Sequence, residues 1–428
     1  MNIHKVVSTK NNFYLIDGFS NEIYQLDSQK DLSKITKNDL LDYKKIENLI
    51  PHNYKNKIIS QAKTLVLEIT EQCNLRCTYC VFDDKFKNER THSKKYMNLK
   101  TAYNAINNFQ ERISNEAYIV FYGGEPLLQF DIIQKLVKYA KKKLKNVKFS
   151  FTTNAIYLTK EKIDFFQKNK FLITVSLDGS KKIHDKYRID KNYNATFDII
   201  MNNLNYIYDN FSTYYKEFIQ INCVVNNIND FKEINTFFSS NKLVNDISIR
   251  FSNQIQKSYE LSEHIDKTFT KEYILELIKT NNFKNHPLEY NYYGTLLKKI
   301  KFRPLGEDAK INKVKCIPFS NRTYIRTNGN VQFCERIENM GITNLDTDNM
   351  LQTASYYLKE YQNFIEEKCN NCFAYNYCDM CYASFINDSK LDKNKADIKC
   401  LSFNNDLKIA FEIYIELTEE NENLLENF

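Results

Sequence analysis

Strand-like apolar runs alternate with amphipathic helical stretches between about residue 64 and residue 282. The predicted strands cover residues 64–70, 117–123, 148–154, 172–178, 218–225 and 246–252. The predicted helices cover residues 98–113, 131–144, 159–169, 194–209 and 230–240. Six β-α units in succession predict an α/β fold with parallel strands and right-handed crossovers. They are too few for a closed eight-stranded barrel.

Three cysteines follow the first predicted strand with the spacing C-x3-C-x2-C, namely Cys73, Cys77 and Cys80. Thiolates on so short a loop can face one [4Fe–4S] cluster, because cysteine is the usual iron–sulfur ligand. Three ligands would leave the fourth iron open. A structural zinc site would instead use four ligands in two C-x2-C pairs. The spacing alone could also arise by chance in a chain with 11 cysteines.

A second motif, Phe121-Tyr-Gly-Gly-Glu-Pro126, follows the second predicted strand. Taken alone, Gly123 and Gly124 would indicate a turn, but the whole chain has only 8 glycines. The cysteine loop, with Tyr79 before its last cysteine, and this motif together resemble the radical S-adenosylmethionine (SAM) superfamily. The resemblance implies a partial (β/α)6 TIM-like barrel and a SAM cofactor. It also implies that the Gly123-Gly124 backbone and Glu125 hold the SAM amino group.

The third predicted strand ends at Asn154 in FTTN, and the fourth ends near Ser176 in SLDG. Arg188 follows Ser176 by 12 residues, in HDKYR. This pattern resembles S-x-D-G…H-D-x-x-R of radical SAM maturases with a SPASM extension. The resemblance implies that Ser176 and Arg188 hold the SAM carboxylate, which the arginine fork matches, and Asn154 is included among the SAM-binding residues. The alternative for Arg188 is a surface salt bridge, and His184 and Asp185 are expected to be structural.

A second group of cysteines lies in the C-terminal part of the chain. Its order resembles the SPASM extension, which carries two auxiliary [4Fe–4S] clusters; on its own, the segment 369–381 would equally fit a zinc-ribbon-like domain. The resemblance implies a distal cluster held by Cys369, Cys372, Cys378 and Cys400. It implies a proximal cluster held by Cys316, Cys334 and Cys381.

Two departures from the SPASM pattern affect the proximal cluster. The last cysteine pair, Cys378 and Cys381, is separated by two residues rather than three, which changes the loop. Sulfatase maturases have an extra cysteine at the position occupied here by Arg322. The proximal cluster is therefore expected to have an open iron. The segment 321–335 is predicted to be a hairpin with its tight turn at Asn328-Gly329.

The N-terminal segment is expected to be separate from the barrel. Residues 3–8, 12–17 and 22–26 are predicted strands, and a helical pattern follows over 37–59. This order resembles the winged-helix-like element with which many ribosomal-peptide maturases bind a leader peptide, and an exposed strand edge can bind an extended peptide. The alternative is a cap without a binding role.

The expected domains are a leader-recognition element (1–60), the radical SAM barrel (61–282), a bridge without strong periodicity (283–315), the SPASM domain (316–402) and a C-terminal part (403–428). In the last part, residues 403–417 are predicted to form an amphipathic helix. The acidic residues 418–428 are expected to fray.

The composition of the chain indicates its cellular compartment and the kinds of partner it can bind. The start of the chain has no apolar signal core, and no stretch approaches the roughly 18 apolar residues of a membrane span. We therefore expect a cytoplasmic protein, where clustered cysteines indicate metal ligation rather than disulfides. The remaining cysteine, Cys223, is expected to be buried filler. The net charge of +7 is mild, and the run of three lysines at 141–143 fits a solvated helix face. Neither nucleic acid nor a membrane is therefore expected as a partner.

The combined resemblances imply an enzyme with three [4Fe–4S] clusters that cleaves SAM reductively and modifies a ribosomally made precursor peptide. The expected electron donor is a flavodoxin or ferredoxin. A Cys thioether is the expected product, because an open proximal iron could hold a substrate thiolate. The alternatives are a carbon–carbon cross-linking or epimerising maturase, a formylglycine-forming sulfatase maturase, and a non-enzymatic electron carrier. No residue of this sequence is identified as a general base.

Overall fold

A computed structural model of the chain describes residues 3–18, 20–27, 50–80, 82, 91–245, 247–253, 270–305, 314, 316–337, 339–369, 372–379, 381–387 and 390–427. They belong to two compact units. The terminal unit is drawn from residues 1–51, 255–315 and 359–428, and the sheet unit from residues 52–254 and 316–358. Each unit is therefore assembled from segments that are distant in the sequence.

The terminal unit begins with a three-stranded antiparallel sheet of β1 (Ile3–Val7), β2 (Phe13–Asp17) and β3 (Ile23–Leu26). The central strand β2 pairs with both neighbours, so that Ile16 lies opposite His4 and Ile23. The three strands lie where the sequence predicts them. Most of the helical pattern predicted over 37–59 lies outside the described residues.

The sheet unit is built on one eight-stranded sheet in the order β11-β10-β4-β5-β6-β7-β8-β9. Consecutive strands from β4 to β9 pair in parallel. They are β4 (Ala62–Thr70), β5 (Ile113–Gly123), β6 (Val147–Thr153), β7 (Leu172–Ser176), β8 (Ile219–Val225) and β9 (Ser248–Asn253). The prediction of an α/β partial barrel with parallel strands is confirmed.

Helices flank and connect these strands. They are α1 (Tyr54–Ser60), α2 (Leu99–Arg112), α3 (Phe130–Lys143), α4 (Lys160–Lys168), α5 (Lys181–Tyr187), α6 (Phe197–Asn210), α7 (Ser212–Phe218) and α8 (Phe231–Ser240). β8 alternates between buried and partly exposed residues, as the two-residue period of a strand requires, whereas β4 is buried at every position from Leu65 to Thr70. In β8, Ile221 and Cys223 are buried, whereas Gln220 and Asn222 are partly exposed. The apolar face forms the core, and the burial of Cys223 agrees with its expected role as filler.

A C-terminal hairpin extends the large sheet beyond β4. Its strands β10 (Thr323–Ile325) and β11 (Val331–Gln332) are antiparallel, and β10 pairs in parallel with β4. Gly329, at the predicted turn, has a φ of +90°, which a glycine adopts without strain. The predicted hairpin is therefore present. Its strands belong to the sheet unit, because main-chain hydrogen bonds join them to β4.

Arg112, the last residue of α2, stabilises the position of this hairpin through hydrogen bonds. Its buried guanidinium donates to the carbonyl of Phe319 at 3.1 Å, to the Thr323 hydroxyl at 3.2 Å and to the carbonyl of Ile58 at 3.4 Å. Burial lowers the pKa of Arg112 to about 10. An unpaired buried carbonyl costs about 1–3 kcal/mol, so these bonds stabilise the junction of α1, α2 and the hairpin.

The later helices are α9 (Lys271–Lys279), α10 (Pro287–Glu289), α11 (Thr295–Lys301), α12 (Thr347–Cys369) and α13 (Lys393–Glu420). A π-helical turn, Tyr290–Gly294, joins α10 to α11. Residues 287–301, within the expected bridge over 283–315, are therefore helical although the sequence shows no strong periodicity there. Leu288, Leu297 and Ile300 are buried along this helical stretch, and its π-helical turn displaces the apolar spacing that a regular helix would show.

The helix α13 is longer than the predicted segment 403–417. It begins after Asp392, whose side chain accepts a hydrogen bond from Lys395 N at 2.9 Å. Its first turns are mostly exposed and so lack the apolar stripe on which the prediction rested. The acidic end is also not frayed: the Glu419 carboxylate accepts hydrogen bonds from Ser8, Asn12 and Tyr14 at 2.9, 2.8 and 2.6 Å. A short hairpin of β12 (Ile386–Asn387) and β13 (Lys390–Leu391) precedes α13.

Within the described part of the chain, no helix has both the length and the apolar character needed to cross a membrane.

Candidate active site

The cysteine loop starts where β4 ends and is held by its backbone. Arg76 N donates to the carbonyl of Ile189 at 2.8 Å, and Thr78 N donates to the carbonyl of Tyr187 at 3.0 Å. Cys80 N closes a turn on the carbonyl of Cys77 at 3.0 Å. These bonds do not involve sulfur atoms. The structure thus holds Cys73, Cys77 and Cys80 on one short loop against the segment that follows α5.

The thiols of this loop lie in a poorly hydrated environment. Burial raises the pKa of Cys73 to about 12 and that of Cys77 to about 11, the latter against the opposing charge of Arg188. A metal must therefore compensate the thiolates that would bind it. N–H donors also approach the sulfurs: Asn154 Nδ2 lies 3.9 Å from Cys73 Sγ, and Arg188 Nη1 lies 3.9 Å from Cys77 Sγ. Three closely spaced thiols with N–H donors fit an iron–sulfur cluster.

The two adjacent glycines lie directly against the backbone of the cysteine loop. Gly124 N donates to the carbonyl of Thr70 at 2.9 Å, and Glu125 N donates to the carbonyl of Gln72 at 2.8 Å. A Cβ atom on Gly123 would lie 1.9 Å from Thr70 O, and one on Gly124 would lie 2.2 Å from Gln72 O. Only glycine fits at either position. The motif predicted from sequence therefore joins the end of β5 to the cysteine loop.

Glu125 is buried, and its carboxylate binds protein groups. Oε1 accepts from Thr153 Oγ1 at 2.8 Å and from Leu127 N at 3.0 Å, and Oε2 accepts from Asn154 N at 2.8 Å. Burial raises the pKa of Glu125, and these hydrogen bonds oppose the rise. A carboxylate has about four acceptor sites, so these bonds leave about one for a ligand. The contact of Glu125 with a SAM amino group remains a prediction.

Asn154 links the end of β6 to the cysteine loop. Its Nδ2 donates to Asn74 Oδ1 at 2.9 Å, and its Oδ1 accepts from Ile156 N at 3.2 Å. The following residue, Ala155, has a positive φ of 59°. Asn154 is therefore held at the site from both sides, where the sequence predicts it.

Tyr79 and Arg188 meet at Asp178, a residue that was not among those predicted for the site. Arg188 Nε donates to Asp178 Oδ2 at 2.8 Å, and the Tyr79 hydroxyl donates to the same oxygen. The Arg188 guanidinium carbon lies 5.2 Å from the centre of the Tyr79 ring, within the range of a cation–π interaction. Arg188 is 6% exposed and Asp178 is fully buried, which excludes the surface salt bridge considered from the sequence.

Ser176 ends β7, two residues before Asp178, and it is buried. The expected contact with a SAM carboxylate remains a prediction for both Ser176 and Arg188.

His184 and Asp185 have the structural roles expected from the sequence. His184 Nδ1 accepts from Asp178 N at 3.3 Å, and its Nε2 lies 3.1 Å from Thr196 Oγ1. Burial lowers the pKa of His184 to about 3, so the imidazole is neutral. Asp185 Oδ1 accepts the N–H groups of Thr196 and Phe197, both at 2.9 Å. These bonds hold α5 and the start of α6 around the site. Asp178 is the aspartate of the S-x-D-G motif, and that was the signal by which it could have been found.

In the terminal unit, four cysteine side chains lie close together. Burial raises the pKa of Cys369, and the neighbouring thiols of Cys372, Cys400 and Cys378 raise it further. Burial likewise raises the pKa of Cys400 to about 11, with Cys372 and Cys378 adding to the effect. These four residues are the set predicted for the distal cluster. The fold thus brings together thiols that are separated by up to 31 residues, from Cys369 to Cys400.

In the sheet unit, Cys316 and Cys334 are neighbours. Burial raises the pKa of Cys334 to about 12, and the charges of Glu335 and Cys316 contribute in the same direction. Cys334 Sγ accepts from Arg336 N at 3.3 Å. Arg322 forms an ion pair with Glu335 at 2.9 Å, beside this thiol. The third predicted ligand of the proximal cluster, Cys381, belongs to the terminal unit.

A single metal ion has no matching site in the described ranges, because no three His, Cys, Asp or Glu side chains there are arranged to hold one. In a zinc–cysteine site, one ion has all its ligands at about 2.3 Å. An iron–sulfur cluster binds each thiolate at a separate iron.

We expect Gly124→Ala to disrupt the cysteine loop, because its Cβ would lie 2.2 Å from Gln72 O and 3.0 Å from Cys73 N. After anaerobic reconstitution, the variant should lose the iron bound by this loop and keep iron bound elsewhere, as measured by iron assay and visible absorption. Gly294→Ala is the control, since its Cβ would come no closer than 3.4 Å to Tyr290. Full iron content in the Gly124→Ala variant would contradict the expectation.

Comparisons with known proteins agree with this geometry. Residues 67–234 match the model of the radical SAM superfamily. A cysteine-type anaerobic sulfatase-maturating enzyme of Clostridium novyi (strain NT) is 37% identical over 148 residues, which cover 33% of this chain and 38% of that enzyme. The radical SAM cyclopropyl synthase TigE of Paramaledivibacter caminithermalis is 27% identical over 163 residues, or 34% of each protein. The alignments thus span little more than a third of these relatives.

Among solved structures, native anSMEcpe with bound AdoMet has a TM-score of 0.61 and 21% sequence identity. The match covers 83% of this chain and 99% of that one. At this identity the likeness concerns the fold. Together with the family match and the cysteine loop after β4, it confirms the resemblance drawn from the sequence: residues 67–234 form a radical SAM domain, and the chain has the α/β partial-barrel fold of radical SAM enzymes.

Proposed function

We propose that this radical SAM enzyme modifies a ribosomally made precursor peptide and forms a Cys thioether in it. The observation that carries the proposal is the convergence of Cys369, Cys372, Cys378 and Cys400 in a unit separate from the barrel. A cysteine set of this kind fits an auxiliary cluster, in addition to the one expected at the barrel. A peptide substrate also agrees with a solved neighbour that contains AdoMet and the Cp18Cys peptide.

The residues around the cysteine loop define what this chain does for SAM. Ser176 and Arg188 bind the SAM carboxylate, and the Gly123-Gly124 backbone, with Glu125, binds its amino group. Asn154 and Tyr79 orient the loop that carries the cysteines. Cys73, Cys77 and Cys80 would hold a [4Fe–4S] cluster, which would supply a low-potential electron for the reductive cleavage of SAM to methionine and a 5′-deoxyadenosyl radical. The barrel holds the reacting carbon of the peptide near that radical and excludes water.

Thioether formation requires a sulfur beside the carbon that loses hydrogen. The predicted proximal set, Cys316, Cys334 and Cys381, supplies three ligands, and Arg322, ion-paired with Glu335, is not a metal ligand. An iron without a protein ligand could hold the substrate thiolate. One hydrogen atom leaves the carbon to the adenosyl radical and one proton leaves the thiol. The auxiliary clusters, if held by these cysteines, would take up the one electron released as the C–S bond forms, and the product would have two hydrogens fewer than the precursor.

A second candidate is a sulfatase maturase, which is what several relatives are named. The alignments with them cover about a third of this chain, as does the alignment with the cyclopropyl synthase TigE. Arg322 at the position of the extra cysteine counts against formylglycine formation. A maturase that forms carbon–carbon links or epimerises residues is the alternative within the peptide class.

The N-terminal sheet is the proposed site for the leader part of the precursor. In the described sheet β3 is an outer strand, and Tyr24 on it is partly exposed. An extended peptide can add to an outer strand through main-chain hydrogen bonds. The electron donor in this proposal is a flavodoxin or ferredoxin, and the compartment is the cytoplasm.

We expect about twelve irons per chain after anaerobic reconstitution, from three [4Fe–4S] clusters. Changing Cys73, Cys77 and Cys80 to Ala should remove about a third of this iron and abolish SAM cleavage. Cys223→Ala is the matched control, because Cys223 is fully buried in β8 and is assigned to no cluster. Stoichiometric zinc in anaerobically purified protein would contradict the auxiliary clusters.

We expect mass spectrometry of the modified peptide to show a loss of two hydrogens and a Cys sulfur that resists alkylation. A substrate with this Cys changed to Ser should lose the cross-link while SAM cleavage continues. If the mass loss occurs with every Cys still alkylatable, the product is not a thioether, and the carbon–carbon alternative takes its place.

We expect deletion of residues 1–60 to abolish modification of the full-length precursor, because leader binding is lost, while peptide-independent SAM cleavage continues. A core peptide without its leader provides the control, since full-length and truncated enzymes should process it equally slowly. Modification of the full-length precursor at the normal rate by the truncated enzyme would rule out leader recognition by this element.

A further inference from the structure

Asp178 joins three separate segments of the sheet unit. Its Oδ1 accepts a hydrogen bond from Val224 N in β8 at 2.8 Å. Its Oδ2 accepts from Arg188 Nε at the end of α5, and from the Tyr79 hydroxyl in the cysteine loop. The side chain is fully buried. A charged acceptor with three donors and no exposure to water holds its partners in a single arrangement.

The ion pair determines which edge of the Arg188 guanidinium remains for a ligand. Asp178 occupies Nε, and Nη1, which lies away from the Nε edge, is 3.9 Å from Cys77 Sγ. Because the guanidinium is planar, fixing Nε also fixes the plane in which the terminal nitrogens lie. Burial alone would lower the pKa of Arg188, but the Asp178 carboxylate holds it well above its ordinary value. The guanidinium is therefore both charged and oriented.

The bond to Tyr79 extends the same constraint to the cysteine loop. Tyr79 immediately precedes Cys80, and its ring packs under the Arg188 guanidinium at 5.2 Å. A displacement of Arg188 would therefore also displace the ring and the adjoining cysteine. Both side chains donate to the same oxygen of Asp178.

We propose that Asp178 is a positioning residue that orients Arg188 toward the SAM carboxylate and, through Tyr79, aligns the cysteine loop with the bound SAM. This inference rests on the proposed role of Arg188 in SAM binding. Asp178 touches neither SAM nor the reacting atoms, and it acts through its two partners. A merely structural aspartate would change stability without changing SAM affinity.

The test is Asp178→Asn in the reconstituted full-length enzyme. We expect the dissociation constant for SAM to rise at least about tenfold while iron content stays at the wild-type level. Electron paramagnetic resonance of the reduced protein, titrated with SAM, should show its SAM-dependent spectral change only at correspondingly higher SAM concentration. Wild-type SAM affinity in a variant with full iron content would overturn the inference.

Asp185→Asn is the matched control. Asp185 lies on α5, the helix that ends just before Arg188, and its Oδ1 accepts the N–H groups of Thr196 and Phe197 at 2.9 Å, so its role is local to the junction of α5 and α6. We expect Asp185→Asn to leave SAM affinity unchanged. An equal loss of SAM affinity in both variants would show that α5 as a whole is responsible, and would overturn the specific role of Asp178.

A double-mutant cycle with Arg188→Lys tests whether Asp178 acts through Arg188. Lysine keeps the charge opposite Asp178 but lacks the fork, so Arg188→Lys should also weaken SAM binding. In the Arg188→Lys background, Asp178→Asn should cause little further loss of SAM affinity, whereas fully additive effects would overturn the inference.

If the Asp178→Asn variant does not retain its iron, Tyr79→Phe is tested instead, because it removes one of the two hydrogen bonds to Asp178 Oδ2. The SAM-dependent spectral change of the Tyr79→Phe variant should then occur at higher SAM concentration than in the wild type, and an unchanged response would count against the inference.

These measurements separate the inference from the proposed function. SAM affinity and its spectral response are measured without any peptide, so they do not depend on the substrate class. Wild-type affinity in Arg188→Lys would contradict the proposed role of Arg188 itself. Weakened affinity in Arg188→Lys together with wild-type affinity in Asp178→Asn would contradict the positioning role alone.

Discussion

The site depends on a close backbone approach between the ends of β4 and β5. Gly124 N and Glu125 N hydrogen-bond to the carbonyls of Thr70 and Gln72, at a separation that no side chain at Gly123 or Gly124 would permit. This contact fixes the start of the cysteine loop relative to the sheet. Glu125 also links this contact to β6, because its carboxylate accepts hydrogen bonds from the Thr153 hydroxyl and from Asn154 N. Three strand ends are thereby aligned before any cofactor binds.

The site also has an electrostatic requirement. Cys77 is buried and Cys73 and Cys80 are half-buried, so their charged forms are unfavourable without a nearby cation. Among the described residues, the buried Arg188 beside Cys77 is paired with Asp178, so the thiolates would depend on the charge of bound iron. The protein therefore provides shape, N–H donors and a balanced ion pair, while the positive charge that the sulfurs need comes with the metal.

Local sequence patterns predicted the elements that depend on local residues. The strands β4 to β9, the cysteine loop and the Gly-Gly motif follow from apolar periodicity and from residues adjacent in the chain. Other features could not be derived this way. Pairing of β10 with β4 and the convergence of Tyr79 and Arg188 on Asp178 join residues far apart in sequence. The first turns of α13 are mostly exposed, and the π-helical turn at Tyr290–Gly294 breaks the apolar spacing, so neither region carried a periodic signal.

Pairing of β10 with β4 has a consequence for biosynthesis. Leu65 lies opposite Thr323, so the partner of β4 on that side is made long after β4 itself. At about 5–20 residues per second, the delay is on the order of tens of seconds. During that interval β4 is an unprotected edge strand directly before the cysteine loop, and such edges pair readily with other chains. The nascent protein therefore has a period of vulnerability to aggregation that ends when the hairpin docks, and chaperones that shield strand edges would act in this window.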